Sequence, residues 1–282
     1  MKISVTVPVY RTDPKFLREM IASVLEQTFG DFELLLQDDC PEDDRESVVR
    51  EFDDPRISYE KNERNLGIAG ARNRLLERAT GEYVAVLDHD DICRKERFEK
   101  EVAYLDAHPE CGVVSSWTRL TSNGSVETFP EDDHAIKLGL MRGCCLWHPA
   151  AMIRRSLLET HGLRYEPETS PVEDYMLWMR LIPHTVFHNL PEVLLDYRWH
   201  EGNTSRVRRD RLMASDFRVK AWAKVHLPEL YAEYELARTR TLRVRICGIE
   251  LLKIESDYES ARIRLLGLPL VKIAKRWKVR AR

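Results

Sequence analysis

Gly81-Glu82-Tyr83-Val84-Ala85-Val86-Leu87-Asp88-His89-Asp90-Asp91 is the stretch that decides how this chain folds. Tyr83–Leu87 is short and wholly apolar, the pattern of a strand buried on both faces of a parallel sheet. Three carboxylates then follow within four residues. Such a cluster is costly unless a cation neutralises it, and hard oxygen donors suit Mg²⁺ or Mn²⁺. The competing reading is a solvated acidic turn, with Asp91 capping the next helix.

Working outward, the same alternation recurs. Ile3–Val9 reads as a first strand, and Asp13-Pro14 opens a helix whose Phe16, Leu17, Met20, Ile21, Val24 and Leu25 share one face. Phe32–Gln37 and Arg56–Glu60 read as further strands, and Ala69–Ala79 as a helix before Gly81. Strands alternating with helices predict an α/β fold with a mixed, mostly parallel sheet flanked by helices. Ligands in such sheets bind beyond the carboxyl ends of the strands. Val7–Tyr10, Asp38-Asp39 and Asp88–Asp91 all fall at such ends, which is the first functional signal. Farther on, Val113–Thr118, Ser125–Phe129, Val186–Leu190 and Val193–Tyr197 read as strands, Ser156–His161 and Asp174–Leu181 as helices, and the chain from about 208 as helical.

Four other stretches carry chemistry. Asp38-Asp39 can accept hydrogen bonds from a base or sugar, or simply make a turn. Asn65–Asn73, with Gly67, Gly70 and Arg72, enters a helix in a way that favours an anion, although it is neither a P-loop nor a dinucleotide fingerprint, and glycines at a helix start that only serve close packing are the plainer alternative. Glu173-Asp174 opens an apolar helix, where acids complement the dipole or, alternatively, hold a general base in a cleft. Tyr197–Arg206 offers His200, two Arg and hydroxyls, a mix able to hold a metal-diphosphate; a structural histidine is the plainer alternative.

Composition bounds the rest. The chain has 282 residues, 43% apolar and 32% charged, enough for a substantial core and unlike a disordered or fibrous protein. No run of 18 apolar residues exists, and the N-terminus runs straight into a strand without a signal-peptide pattern, so a cytoplasmic protein is expected. Six cysteines form no C-x-x-C pair and read as buried thiols. Residues 238–282 hold 13 Lys/Arg against four Asp/Glu, so a chain of net −3 has an acidic body and a basic tail. Basic residues among apolar ones suit an anionic membrane surface, or a helical extension packed on the body; no nucleic-acid motif is present.

Taken in order, Val7-Pro8-Val9-Tyr10, Ser23–Phe29, Phe32–Asp39, Asn65–Asn73, Gly81–Asp91, Glu173-Asp174 and Tyr197–Ser205 resemble a family 2 glycosyltransferase of the GT-A (Rossmann-like) fold over about residues 1–205. The resemblance implies an inverting transferase using a nucleotide-diphosphate sugar, typically uridine-based, with Mn²⁺ or Mg²⁺. It implies that Pro8, Val9 and Tyr10 line the nucleobase pocket, that Asp39 bonds the base, and that Arg72 and Asn73 sit near the nucleotide. Asp88 and Asp90 match the D-x-D motif, with Asp90 the direct metal ligand, Asp91 orienting the loop, and His200 helping to hold the metal-diphosphate. Asp174 matches the catalytic base. The acceptor, a glycan or lipid-linked glycan, is expected between the D-x-D loop and Glu173, with Trp147 and His148 stacking on or bonding a sugar, or else forming a buried aromatic pair. The expected layout is a catalytic domain over 1–225 and a basic helical extension over 226–282, peripheral on the cytoplasmic face of the inner membrane if the tail binds lipid. The rival functions are a polyprenyl-phosphate sugar synthase and a catalytically silent nucleotide-sugar-binding scaffold.

Overall fold

The computed structural model describes residues 1–199, 209–237, 240–246, 249–256, 260–265 and 268–274. The chain divides into two compact units, Met1–Trp222 and Ala223–Arg282.

In the first unit, β1 (Ile3–Val9), β2 (Phe32–Asp38), β3 (Ile57–Lys61) and β4 (Tyr83–Val86) pair in parallel in the order β3-β2-β1-β4. Every residue of β1 is buried, as expected for a strand with helices on both faces. Register fixes which strand ends meet. Val9 lies opposite Asp38 and Thr6 opposite Val86. Asp39 N–H then donates to Val9 O at 2.8 Å and Leu87 N–H to Thr6 O at 3.2 Å. Tyr10, Asp39 and Asp88 therefore emerge side by side at the carboxyl ends of adjacent strands.

Helix α1 (Pro14–Leu25) starts where Asp13 accepts from Lys15 N–H at 2.8 Å, with Pro14 in its first turn. It buries Leu17, Met20, Ile21 and Val24, each contributing about 1.5–3 kcal/mol of hydrophobic stabilisation. After it come the short α2 (Glu46–Val49), α3 (Gly67–Arg78), β5 (Ile92–Cys93) and α4 (Arg97–Ala107). Gly81 sits against β1 so closely that an added Cβ would lie 2.5 Å from Ser4 N.

The sheet continues through β6 (Cys111–Leu120), β7 (Val126–Glu127), β8 (Met152–Arg154) and β9 (Val186–Tyr197), with α5 (Asp133–Arg142), α6 (Arg155–Thr160) and α7 (Glu173–Leu181) packed about it. β8 joins β4 to β6 antiparallel, and β9 runs parallel to β6. The sheet is mixed, and its parallel pairings are the long ones. β9 is one strand where the sequence suggests two: Pro191 and Glu192 bulge out as the register jumps from Leu190 to Val193, so the missing proline N–H costs no ladder bond.

The second unit corrects the expectation of a helical tail. After α8 (Arg209–His226), helix persists only through α9 (Pro228–Ala237). β10 (Arg240–Ile246), β11 (Ile249–Ser256), β12 (Ser260–Leu265) and β13 (Leu268–Ala274) then form a four-stranded antiparallel sheet. The reason is periodicity: Leu242, Val244 and Ile246 alternate with Arg243 and Arg245, a period of two rather than 3.6. Pro269 lies in the edge strand β13, where the register with β12 shifts and a missing N–H is tolerated.

Candidate active site

A cleft of about 1170 Å³ opens where the strand ends converge. Its walls come from the chain after β1, the end of β2, the acidic loop after β4, the segment before β8 and the start of α7.

Pro8, Val9 and Tyr10 form one wall; Val9 is buried and Tyr10 is 44% exposed. Asp39 stands beside them, only 3% exposed. Its Oδ1 accepts from Asn62 Nδ2 at 2.8 Å and from Leu66 N–H at 2.7 Å, while Gln37 Nε2 fixes Asn62 at 2.9 Å. Asp38 faces away: the Tyr59 hydroxyl and Cys40 N–H bond it at 2.6 and 2.9 Å, and burial raises its pKa above the usual carboxylate value.

Across the cleft lies a cluster of opposite charges. Arg72, 7% exposed, donates from Nη1 to Glu173 Oε1 at 2.8 Å and from Nη2 to Asp88 Oδ1 at 3.1 Å. Burial would lower its pKa, but Asp88 and Glu173 more than offset this and keep it charged. One guanidinium thereby ties the acidic loop to the first residue of α7. Arg72 lines the cleft with both Nη atoms committed to carboxylates. Next to Glu173, Asp174 lines the cleft and accepts from Tyr175 N–H at 2.7 Å. Burial and the neighbouring Glu173 push its pKa up to about 6. A carboxylate so tuned is a stronger base than an ordinary one, yet remains ionised above neutrality.

Asp88 and Asp90 both line the cleft, Asp90 being 7% exposed. Asp91 corrects the capping alternative. It is fully buried, accepts from Arg198 N–H at 2.8 Å, and is held well above the usual carboxylate pKa by burial and by Asp90 and Asp88. Arg198 also donates from Nε to Asp90 O at 2.7 Å, so the end of β9 clamps the acidic loop. Among the described residues no three His, Cys, Asp or Glu side chains are grouped to hold a metal. His200, expected to join Asp88 and Asp90, lies outside the described residues.

Asn73 is a correction. It is not on the cleft wall; its Nδ2 and Oδ1 are taken up by Tyr165 O and N–H at 2.8 and 2.9 Å. His148 reaches the wall but is 3% exposed, with Nε2 2.9 Å from the Tyr165 hydroxyl. Burial, Arg72 and Arg97 hold it neutral. Trp147 also lines the cleft, its ring 5.2 Å from Tyr197 and 5.7 Å from Phe129.

Sequence reasoning missed Tyr165 and above all Arg97, and it read Arg198 only as one of the groups able to hold a metal-diphosphate, not as the clamp on the acidic loop. Arg97 and Glu101 are fully buried and paired at 3.1 Å. Arg97 also donates to Val86 O, Pro149 O and Ala151 O at 2.9, 2.9 and 3.2 Å, joining the strand that leads into the acidic loop to the segment bearing Trp147 and His148. Burial lifts Glu101 to about 7 despite Arg97.

The chain is 31% identical over 221 residues to an uncharacterized glycosyltransferase of Methanocaldococcus jannaschii, covering 74% of this chain and 76% of that one. It is 29% identical over 180 residues to the UDP-Glc:alpha-D-GlcNAc-diphosphoundecaprenol beta-1,3-glucosyltransferase WfgD of Escherichia coli, covering 64% and 69%. Its fold matches a crystal structure of S. aureus TarS in complex with UDP-GlcNAc with a TM-score of 0.65 at 23% identity, over 84% of this chain and 72% of that one. The glycosyl transferase family 2 model matches residues 4–162, more than half of the chain, and the protein belongs to that family.

Proposed function

We propose that residues 1–225 form an inverting glycosyltransferase that passes a sugar from a UDP-sugar to a hydroxyl of a lipid-linked glycan in surface polysaccharide synthesis. The observation that carries this reading is Asp174: a carboxylate tuned to about 6, in the same cleft as Asp88 and Asp90, its neighbour Glu173 joined to Asp88 through Arg72. WfgD, by its name, uses a UDP-sugar and a lipid-diphosphate-linked sugar, which supports the donor and acceptor classes.

In this mechanism Tyr10, Pro8 and Val9 hold the base and Asp39 accepts a hydrogen bond from it. Asp174 removes the proton of the acceptor hydroxyl. The acceptor oxygen bonds to the anomeric carbon from the face opposite the diphosphate, the bond to the diphosphate oxygen breaks, and its electron pair leaves with UDP. The configuration inverts. Glu173 and Arg72 keep Asp174 aimed while the acidic loop is held by Arg198. Asp88 and Asp90, both hard oxygen donors on the wall, fit a Mn²⁺ or Mg²⁺ bound by one or two carboxylates plus phosphates, with His200 as a further candidate ligand. When bound, such an ion stabilises the negative charge of the departing diphosphate. Trp147 offers a ring face to an acceptor sugar. The basic residues of 226–282 suit an anionic membrane surface, where a lipid-linked acceptor resides, at the cytoplasmic face of the inner membrane. No helix among the described residues is long and apolar enough to cross a membrane.

The test is a thermal-shift panel of UDP, GDP, dTDP and CMP with and without Mn²⁺, on the native chain and on Asp90→Ala, followed by UDP-release assays with a GlcNAc-diphosphate lipid. The expected result is a Mn²⁺-dependent shift with UDP that Asp90→Ala abolishes. No shift with any nucleotide would overturn the reading in favour of a silent scaffold.

A further inference from the structure

Arg11 is held against its own backbone preference. Among the described residues it is the one non-glycine with a left-handed conformation, φ +47°. A Cβ crowds the carbonyl there, and strain of this kind persists where surrounding structure has a use for it. Its effect is to turn the chain after Tyr10 so that Arg11 and Thr12 both line the cleft. Thr12 is 2% exposed and its Oγ1 has no hydrogen-bond partner, so a polar atom is buried in this wall without satisfaction by the protein. The Arg11 guanidinium lies over the Tyr10 ring at 5.3 Å, and the side chain of Cys40, the residue after Asp39, favours its charged form. Arg72, the other arginine on the cleft wall, has both Nη atoms bound to carboxylates. An aromatic face (Tyr10), a fixed acceptor (Asp39) and a planar donor fork (Arg11) thus meet at the ends of β1 and β2.

We propose that Arg11 is a base-reading residue: its fork donates to a ring carbonyl of a nucleobase lying on Tyr10, while Asp39 accepts from the adjacent ring N–H. The ligand class is a nucleotide whose base carries a ring N–H beside a carbonyl, as uracil, thymine and guanine do. The inference rests on the nucleotide reading above and adds to it the residue and the base edge. A guanidinium suits this role better than an ammonium because its donors are coplanar and fixed.

The experiment is calorimetric titration of the full chain with UMP and with UDP, for the native protein, Arg11→Asn and Arg11→Lys, with melting temperatures alongside. Asparagine tolerates the left-handed backbone and lacks the fork. Arg11→Asn is expected to weaken UMP and UDP by the same factor, about tenfold to a hundredfold, the range of one hydrogen bond to a charged group. It is also expected to raise the unliganded melting temperature by about 2 °C as strain is relieved. Arg11→Lys keeps the charge and the strain, and should weaken binding without that rise. Native-like UMP and UDP affinity in Arg11→Asn overturns the inference. A loss confined to UDP assigns Arg11 to the phosphates and overturns the base contact, and a fall in melting temperature overturns the strain argument. A native protein that binds neither ligand overturns the nucleotide reading itself, and this inference with it.

Discussion

Replacing Asp174 by Asn should make the protein more stable and, on the proposed function, nearly inactive. In the fold, burial and Glu173 raise the carboxyl to about 6 from the ordinary value of 3.8. A carboxyl raised in the fold binds its proton more tightly there than in the unfolded chain. Its ionised form therefore opposes folding above about pH 6, and the penalty fades as pH falls toward 4. A shift of about two units corresponds to about 3 kcal/mol at most, and about 1–3 kcal/mol is the range to expect for a side chain this close to Glu173 and Arg72. Asparagine keeps an oxygen for the Tyr175 N–H and carries no charge. Asp174→Asn should then melt several degrees higher than the native chain at pH 7.5, with the difference shrinking at pH 4.5. Its kcat should fall about 10²-fold or more, the usual contribution of a general base. In the native enzyme kcat should itself decline below about pH 6 as Asp174 is protonated. Thermal melts at the two pH values and UDP-release kinetics read all of this. A variant that is active at near-native rate, or equally stable relative to the native chain at both pH values, would refute the reasoning.

Three further outcomes follow from the packing. Arg72→Lys cannot bridge two carboxylates with one ammonium, so it should lose about 1.5–3 kcal/mol in urea melts and lower kcat as Asp88 and Glu173 part. Arg97→Met leaves Glu101 and three carbonyls buried without their donor; chemical denaturation should show a loss of about 3–5 kcal/mol, partly recovered in Arg97→Met with Glu101→Leu. Gly81→Ala sets a methyl 2.5 Å from Ser4 N and 2.7 Å from Ile3 C, backbone atoms that cannot yield, and should cost about 1–3 kcal/mol. Gly30→Ala, with nothing within 4 Å of its added methyl, is the matched control and should melt as the native chain does.

The centre of the parallel half of the sheet was legible because β1, β2 and β4 are mostly apolar, buried runs, two of them closely followed by acids. Ile3–Val9 matches β1 residue for residue. β8 is only three residues long and has no pattern to read, since its place between β4 and β6 is decided by tertiary pairing. The tail was misread because apolar density drew attention away from its period. Within the site, Asp39, Asp88, Asp90 and Asp174 were legible as acids at element ends. Arg97 was not: Arg and Glu four apart in a helix look like a solvated pair, and only the fold reveals that both are buried. Asn73 was misassigned because a side chain one residue past Arg72 turns to another face of α3 and pins Tyr165 instead.

The clamp of Arg198 on the acidic loop has a consequence for biosynthesis. Its backbone N–H reaches Asp91 across 107 residues of sequence. On a ribosome adding about 5–20 residues per second, the loop waits roughly 5–20 s after it is made before its partner exists. During that interval Asp88, Asp90 and Asp91 are mutually repelling acids on a partly formed sheet. The catalytic edge is thus among the last parts of the first unit to be completed, and a nascent chain stopped short of β9 would carry the sheet's core without a settled acidic loop.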